Sequence, residues 1–371
     1  MSHLTVTLAE GIVQGGRDRR FPQVRTFFGL PYAAPPVGFL RFAPPVACPS
    51  SDSWSPLGSA GAPRALDAAF AEASCLTLDV WVPAEAQDRP VLVWLDDEPQ
   101  LPGRTHRFCA ELAAEQGIVV VAPRYRRGAL GYLDLTALHP GLGNGNFGLL
   151  DQMEALTWVA THARAFGGDP TAITVSGRGE GVHAAALLAG LPRTSPLVRR
   201  LLLPAGAPSI RVQTPVAAAR VAAAFLDVLA TDPAARGDLR EIDAGAIIRA
   251  EAALGCPAGS SPFGLVAHDD LPFGDLTALL RGAISPVEVL AGSYCTEYRG
   301  RSAMWTVWRC GEDRAAERLP TAVLRTPADR GSGFGAVVGA FVRTGEPAIG
   351  RSALPLVRSA VGVVPRDRAV R

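Results

Sequence analysis

Two stretches of the chain are apolar without interruption. Pro90-Val91-Leu92-Val93-Trp94-Leu95 and Gly117-Ile118-Val119-Val120-Val121-Ala122 are short and bounded by turn-forming or charged residues. Runs of that length, rich in β-branched side chains, predict strands covered on both faces, as in a mostly parallel sheet. Leu76–Val82 alternates and predicts a further strand, and Leu4–Leu8 and Gly11–Gly15 predict short ones ahead of a Pro-rich stretch. Helical spacing appears over 107–115 and again over 148–165, where Leu149, Leu150, Met153, Leu156, Val159 and Ala160 recur with Trp158 beside them. Gly167-Gly168-Asp169-Pro170 stops that helix. Ala172–Ser176 then reads as a strand, a glycine-rich turn follows, and Val182–Leu188 reads as a helix. Residues 216–232 and 333–343 look helical, and Val287–Gly292 looks like a strand. Strands alternating with helices predict an α/β fold with helices on both sides of the sheet. With no internal repeat and no low-complexity linker, residues 1–371 read as one domain.

The composition narrows the chemistry. The net charge is +1, which leaves no electrostatic footprint for nucleic acid or an anionic membrane surface. Hydrophobic residues make up 48% of the chain, enough for a large core, yet no apolar run reaches the roughly 18 residues of a membrane span. Every basic residue is arginine or histidine; there is no lysine, so a Schiff base or a P-loop lysine is excluded. The six cysteines form no CxxC pair, which argues against a zinc knuckle. The N-terminus lacks the basic-then-apolar pattern of a signal peptide, so the expectation is a cytoplasmic protein with reduced thiols, with Cys75 and Cys109 unbridged. No cofactor and no metal is called for.

Several motifs then follow one another in a telling order. They are Phe28-Gly29-Leu30-Pro31-Tyr32-Ala33-Ala34-Pro35-Pro36-Val37-Gly38 with Arg41-Phe42, Cys75-Leu76-Thr77-Leu78-Asp79-Val80-Trp81, Tyr125-Arg126, and Gly128-Ala129-Leu130-Gly131-Tyr132-Leu133. Gly145-Asn146-Phe147-Gly148-Leu149-Leu150-Asp151-Gln152, Ala165-Phe166-Gly167-Gly168-Asp169-Pro170 and Ala340-Phe341-Val342-Arg343-Thr344-Gly345-Glu346-Pro347 complete the series. The chain resembles the type-B carboxylesterase family, which includes para-nitrobenzyl esterases, cholinesterases and the non-catalytic neuroligins. The resemblance implies an α/β-hydrolase fold, a mostly parallel central sheet flanked by helices.

The family's catalytic parts do not line up with this sequence. The fold places a nucleophilic serine on a strained strand-to-helix turn, G-x-S-x-G. Here the turn reads Gly177-Arg178-Gly179-Glu180-Gly181, with Gly179 in the nucleophile position, and no other G-x-S-x-G occurs. Where the resemblance implies a glycine-rich oxyanion loop, the chain has Asp96-Asp97-Glu98-Pro99-Gln100. Pro99 offers no N–H, and carboxylates repel an oxyanion. Gly292-Ser293-Tyr294-Cys295-Thr296-Glu297 matches the stretch ending in the acid of the triad, but no histidine follows it. Arg314, in Arg314-Ala315-Ala316-Glu317, stands at the histidine position and cannot act as a base near neutrality. The interval from Glu297 to Arg314 is far shorter than the family's, which implies a reduced cap.

Asp97, Glu98, Glu180 and Glu297 are therefore the candidate catalytic residues, and Asp96, Arg178, Gly179 and Arg314 the candidate substrate-binding ones. Each also has an ordinary reading. Glu180 complements a helix dipole, residues 96–98 form a solvated loop, Arg314 makes a surface ion pair, and Glu297 is hydrogen-bonded in the scaffold. His183 is expected to pack against the sheet or to be capped, and His268 has no second histidine nearby to share a metal. The expected function is a repurposed, non-hydrolytic enzyme of secondary metabolism: a cyclase, dehydratase or related lyase or isomerase acting on a small hydrophobic intermediate. The alternatives are a non-catalytic binding protein and an atypical ester hydrolase. The partner is a small hydrophobic molecule; the reading allows a homodimer and expects neither nucleic acid nor membrane.

Overall fold

A computed structural model describes residues 4–48, 72, 75–96, 102–139, 141–204, 212–254, 261–268, 287–293, 304–310 and 332–345. A hairpin of β1 (Thr5–Leu8) and β2 (Gly11–Gln14) precedes the main sheet. The sheet contains β3 (Gly16–Arg17), β4 (Arg25–Pro31), β5 (Thr77–Val82), β6 (Arg89–Asp96), β7 (Val119–Pro123), β8 (Gly168–Arg178), β9 (Arg200–Leu203), β10 (Val287–Ser293) and β11 (Met304–Cys310). Their order is β11-β10-β9-β8-β6-β7-β5-β4-β3. The five central strands, from β10 through β9, β8 and β6 to β7, run parallel. The flanks are antiparallel, with β11 on β10 and β5, β4 and β3 continuing from β7. The sheet is thus mixed, and its parallel part is the centre.

The unbroken apolar runs come from having cover on both faces. Val91, Val93 and Leu95 of β6, and Val119 and Val121 of β7, enter one core with Ile173, Val175, Leu201 and Leu203. The helices on that face are α3 (Phe147–His162) and α4 (Glu180–Gly190). Leu92, Trp94, Val120 and Leu202 point the other way, toward α1 (Pro102–Gln116) and α7 (Ser332–Thr344). A strand with successive side chains on two covered faces has no polar positions to alternate with.

Helix ends follow their capping residues. After α3 a 3₁₀ turn, Ala163–Phe166, stops at Gly167, whose φ of 78° is the left-handed conformation that ends helices. The helix α5 (Pro215–Leu229) begins with Thr214, whose hydroxyl accepts from Ala217 N at 3.2 Å, and α6 (Ala244–Ala253) begins with Asp243, accepting from Ala246 N at 3.1 Å. These two helices form a third core with Phe42, Phe147 and the short α2 (Gly128–Tyr132). The reduced cap expected between Glu297 and Arg314 falls largely outside the described residues. Cys48, Cys75 and Cys109 are free thiols.

Three polar anchors hold the layers. Arg126 and Asp151 form a buried pair in which Asp151 accepts from Nε at 2.8 Å, Nη2 at 2.7 Å and the backbone N–H at 3.0 Å. Arg41 donates to both Glu72 oxygens at 2.5 Å and to the Ile242 carbonyl at 2.5 Å, tying the Pro-rich stretch to the third core. His106 of α1 meets Asp18 at 2.8 Å and packs against the rings of Phe28 and Trp81, which also touch each other.

Asp18 makes α1 sensitive to acid. Burial pushes its carboxyl up, but the N–H groups of Phe21 and Arg20 and the His106 ring pull harder, and it titrates below the ordinary range. A carboxyl depressed in the folded state stabilises above its unfolded pKa of about 3.9, and that contribution is lost as pH falls through the folded value. Asp18→Asn should therefore lower stability at neutral pH and flatten the acid-unfolding curve below about pH 4, read by circular dichroism. A curve parallel to the parent's would remove Asp18 from this role.

Candidate active site

The parallel register of β6 and β8 puts their last residues, Asp96 and Arg178, side by side. Arg178 Nη2 donates to Asp96 Oδ1 at 2.9 Å and to Oδ2 at 3.1 Å, and Thr105 of α1 donates its hydroxyl to Oδ2. The main-chain carbonyl of Asp96 is engaged too, accepting from Arg127 Nη2 and from the Tyr125 hydroxyl at 3.4 Å. The Arg127 guanidinium lies 4.9 Å above the Tyr125 ring. Asp96 is thus clamped from four sides where the oxyanion loop of the fold would begin. Among the described residues, this puts Asp96 and Arg178 in a positioning ion pair at the C-terminal edge of the sheet, the edge where open α/β sheets bind ligands.

The turn from β8 into α4 keeps the shape of a nucleophile elbow. A Cβ on Gly177 would lie 2.5 Å from the Leu95 carbonyl oxygen, and one on Gly181 would overlap that same atom. Both positions need glycine because α4 starts directly against the end of β6. Between them Gly179 has φ 55° and ψ −126°, a backbone conformation that strains any residue with a side chain. The strained geometry is retained, while the apex carries only hydrogen.

The helix that follows is buried at every residue except Glu180 and His183. The Glu180 side chain is 83% exposed and its Oε2 is 3.2 Å from His183 Nδ1. Glu180 is therefore an exposed carboxylate of the first helical turn. Of the two expectations for His183, packing on the sheet or being capped, the first is not met: it lies on the outward face of α4, with Glu180 as its polar partner. Nearby, burial pushes the phenol of Tyr132 well up; Tyr125, Asp151 and Glu180 add to this and Arg127 opposes it.

Of the eight residues singled out from sequence, Asp96, Arg178, Gly179 and Glu180 come together on this edge. Asp97, Glu98, Glu297 and Arg314 lie outside the described residues. His268 turns toward Asn144 O at 3.0 Å and Asp134 at 3.5 Å, and among the described residues no three metal-ligating side chains gather. No helix among them is long and apolar enough to cross a membrane. Sequence reasoning missed the roles of Tyr125, Arg127 and Thr105. The available signal for the first two was their place just after a buried parallel strand.

Comparisons with known proteins show the family and the fold. The carboxylesterase family model matches residues 2–251. The probable N-octanoylanthranilate hydrolase AqdA2 of Rhodococcus erythropolis is 36% identical over 250 residues, 62% of this chain and 52% of that protein. The para-nitrobenzyl esterase of Bacillus subtilis is 30% identical over 324 residues, 79% of this chain and 63% of that one. Among solved structures, the Geobacillus stearothermophilus carboxylesterase EST55 superposes with a TM-score of 0.64 at 30% identity, covering 77% of this chain and 62% of its own. This chain thus spans less than two thirds of the length of each of these relatives. It belongs to the carboxylesterase family and has the α/β-hydrolase fold.

Proposed function

We propose that this chain does not hydrolyse esters through a serine nucleophile and instead catalyses a lyase- or isomerase-type reaction, a cyclisation or dehydration, on a small hydrophobic biosynthetic intermediate. The substrate sits at the C-terminal edge of β6 and β8. The observation that carries this reading is Gly179 at the apex of the elbow with φ 55° and no side chain. Acyl transfer in this fold needs an attacking oxygen at that point and a basic imidazole later in the chain. Gly179 supplies no such oxygen, and the two histidines that follow it, His183 and His268, both precede Glu297 at the acid position. The clamp on Asp96 adds support, because it directs a carboxylate and a carbonyl to the place where N–H donors would stabilise an oxyanion.

The relatives' names favour a second reading, ester or amide hydrolysis by other means. One experiment separates them. The purified protein is incubated with para-nitrophenyl butyrate and, separately, with a fluorophosphonate. The expected results are nitrophenol release at the buffer rate and an intact mass unchanged by the reagent. A phosphonyl adduct on any residue, with turnover above buffer, would overturn the proposal.

A further inference from the structure

We propose that a protonated His162 clasps the β1–β2 hairpin to α3, and that the hairpin loosens when rising pH removes that proton. His162 is the last residue of α3 and is 8% exposed. Its Nδ1 lies 2.9 Å from the Trp158 carbonyl oxygen, one turn back in the same helix. Its Nε2 lies 3.0 Å from both carboxylate oxygens of Glu10, in the turn between β1 and β2. A carbonyl oxygen and a carboxylate only accept hydrogen bonds, so both ring nitrogens donate, and only the imidazolium has two N–H groups. The equal distances to the two Glu10 oxygens fit an N–H aimed between them, not a carboxylic acid donating to nitrogen from one oxygen.

Two further features favour the cation. The ring stacks on the Trp158 indole, with centroids 4.4 Å apart and planes 29° from parallel, so the positive charge lies over a π face. It also sits in the last turn of α3, at the negative end of the helix dipole. Among the described residues around it, Arg164 of the following 3₁₀ turn reaches Asp88 at 3.9 Å, and Glu154, two turns back on α3, is taken by Arg193 at 3.0 Å. Burial and the Glu10 carboxylate push the Cys48 thiol up, so it adds no charge.

Val6, Leu8 and Val13 of the hairpin enter the same core as Phe27 and Phe166. Those apolar contacts do not respond to pH, whereas the tie between the hairpin turn and α3 does. A neutral imidazole that keeps its Nδ1–H on the carbonyl turns the Nε2 lone pair toward the Glu10 carboxylate, and attraction becomes repulsion. The clasp therefore holds fully while the ring is charged and is lost as pH rises. The 3₁₀ turn after His162 leads into the start of β8, whereas Arg178, paired with Asp96, ends that strand. The device is thus separate from the candidate active site.

Amide exchange of residues 5–14 in the full chain tests the clasp. Between about pH 6 and about pH 9, after correction for the intrinsic rate, their protection is expected to fall about 10-fold, the worth of one hydrogen bond to a charged group. Protection of residues 91–95 in β6 should not change, which separates loosening of the hairpin from global unfolding. Glu10→Gln, at a half-exposed turn position, should show the weaker protection already at the acidic end and no further fall, and His162→Gln should behave alike. In a nitrogen-15 titration of histidine-labelled protein, the His162 signals are assigned by their loss in His162→Gln. They should show the second ring proton leaving over the same pH range in which protection falls. Protection that does not change with pH in the wild type, the same fall in Glu10→Gln, or loss of protection out of step with the His162 proton overturns the inference.

Discussion

Asp151→Ala is expected to lower the free energy of unfolding by about 3–5 kcal/mol, enough to leave much of the protein unfolded at moderate urea. The side chains of Asp151 and Arg126 are 0% and 2% exposed. Removing the carboxylate strands a guanidinium among apolar neighbours, with the Ala43 carbonyl at 2.7 Å and the Phe147 ring at 5.0 Å as its remaining partners. The pair itself need not be a large net gain, because both charges were taken out of water to make it. Burial raises the Asp151 carboxyl while its hydrogen bonds and the Arg126 charge pull it down. The companion variant Arg126→Met with Asp151→Leu should therefore lose much less than Asp151→Ala alone. Equal losses in the two, by urea denaturation, would show that packing rather than the stranded charge sets the cost. The effect reaches the site as well, since Arg126 sits between Tyr125 and Arg127 and its anchor fixes both neighbours.

The contrast between what the sequence displays and what it hides follows from contact range. Residues 90–95 and 117–122 are readable as buried parallel strands because two-sided cover leaves a local mark, an unbroken apolar run. Strand β4 carries no such mark: Gly29 and Pro31 interrupt it, and its register shifts between Phe27 and Leu30. Strand β9 is four residues long, too short to show a period. At the site, the Gly-x-Gly-x-Gly turn is legible because glycine is required by local backbone geometry. The Asp96–Arg178 pair is not, because it exists only through the register of two strands 82 positions apart. His183 is an intermediate case. Its spacing of three from Glu180 is visible, but which face of α4 opens outward depends on Leu95, Leu201 and the rest of the core packed around that helix.

The elbow gives the second large effect, and it separates geometry from chemistry. Gly181→Ala should cost about 3 kcal/mol, the upper part of the range for overpacking, because the added methyl meets backbone and not a flexible side chain. Its Cβ would fall on the Leu95 carbonyl oxygen, so either α4 or the end of β6 must move. Gly179→Ser should cost less, about 1–3 kcal/mol, the strain of a side chain held at φ 55°. Thermal unfolding of both variants gives the order directly, and a larger loss in Gly179→Ser would mean that α4 is not seated against β6 as described. The serine variant also restores the attacking oxygen without restoring its base or its anion-stabilising loop. It is expected to gain no nitrophenyl ester turnover, because a serine hydroxyl is a weak nucleophile until a positioned base takes its proton. The imidazole closest in sequence, His183, is held at Nδ1 by Glu180 on the same helical turn. Should Gly179→Ser hydrolyse the ester and take up a fluorophosphonate, that imidazole would have to be reaching the new hydroxyl. The scaffold would then stand one substitution away from hydrolysis, and the inactive elbow would be a change of residue rather than of site.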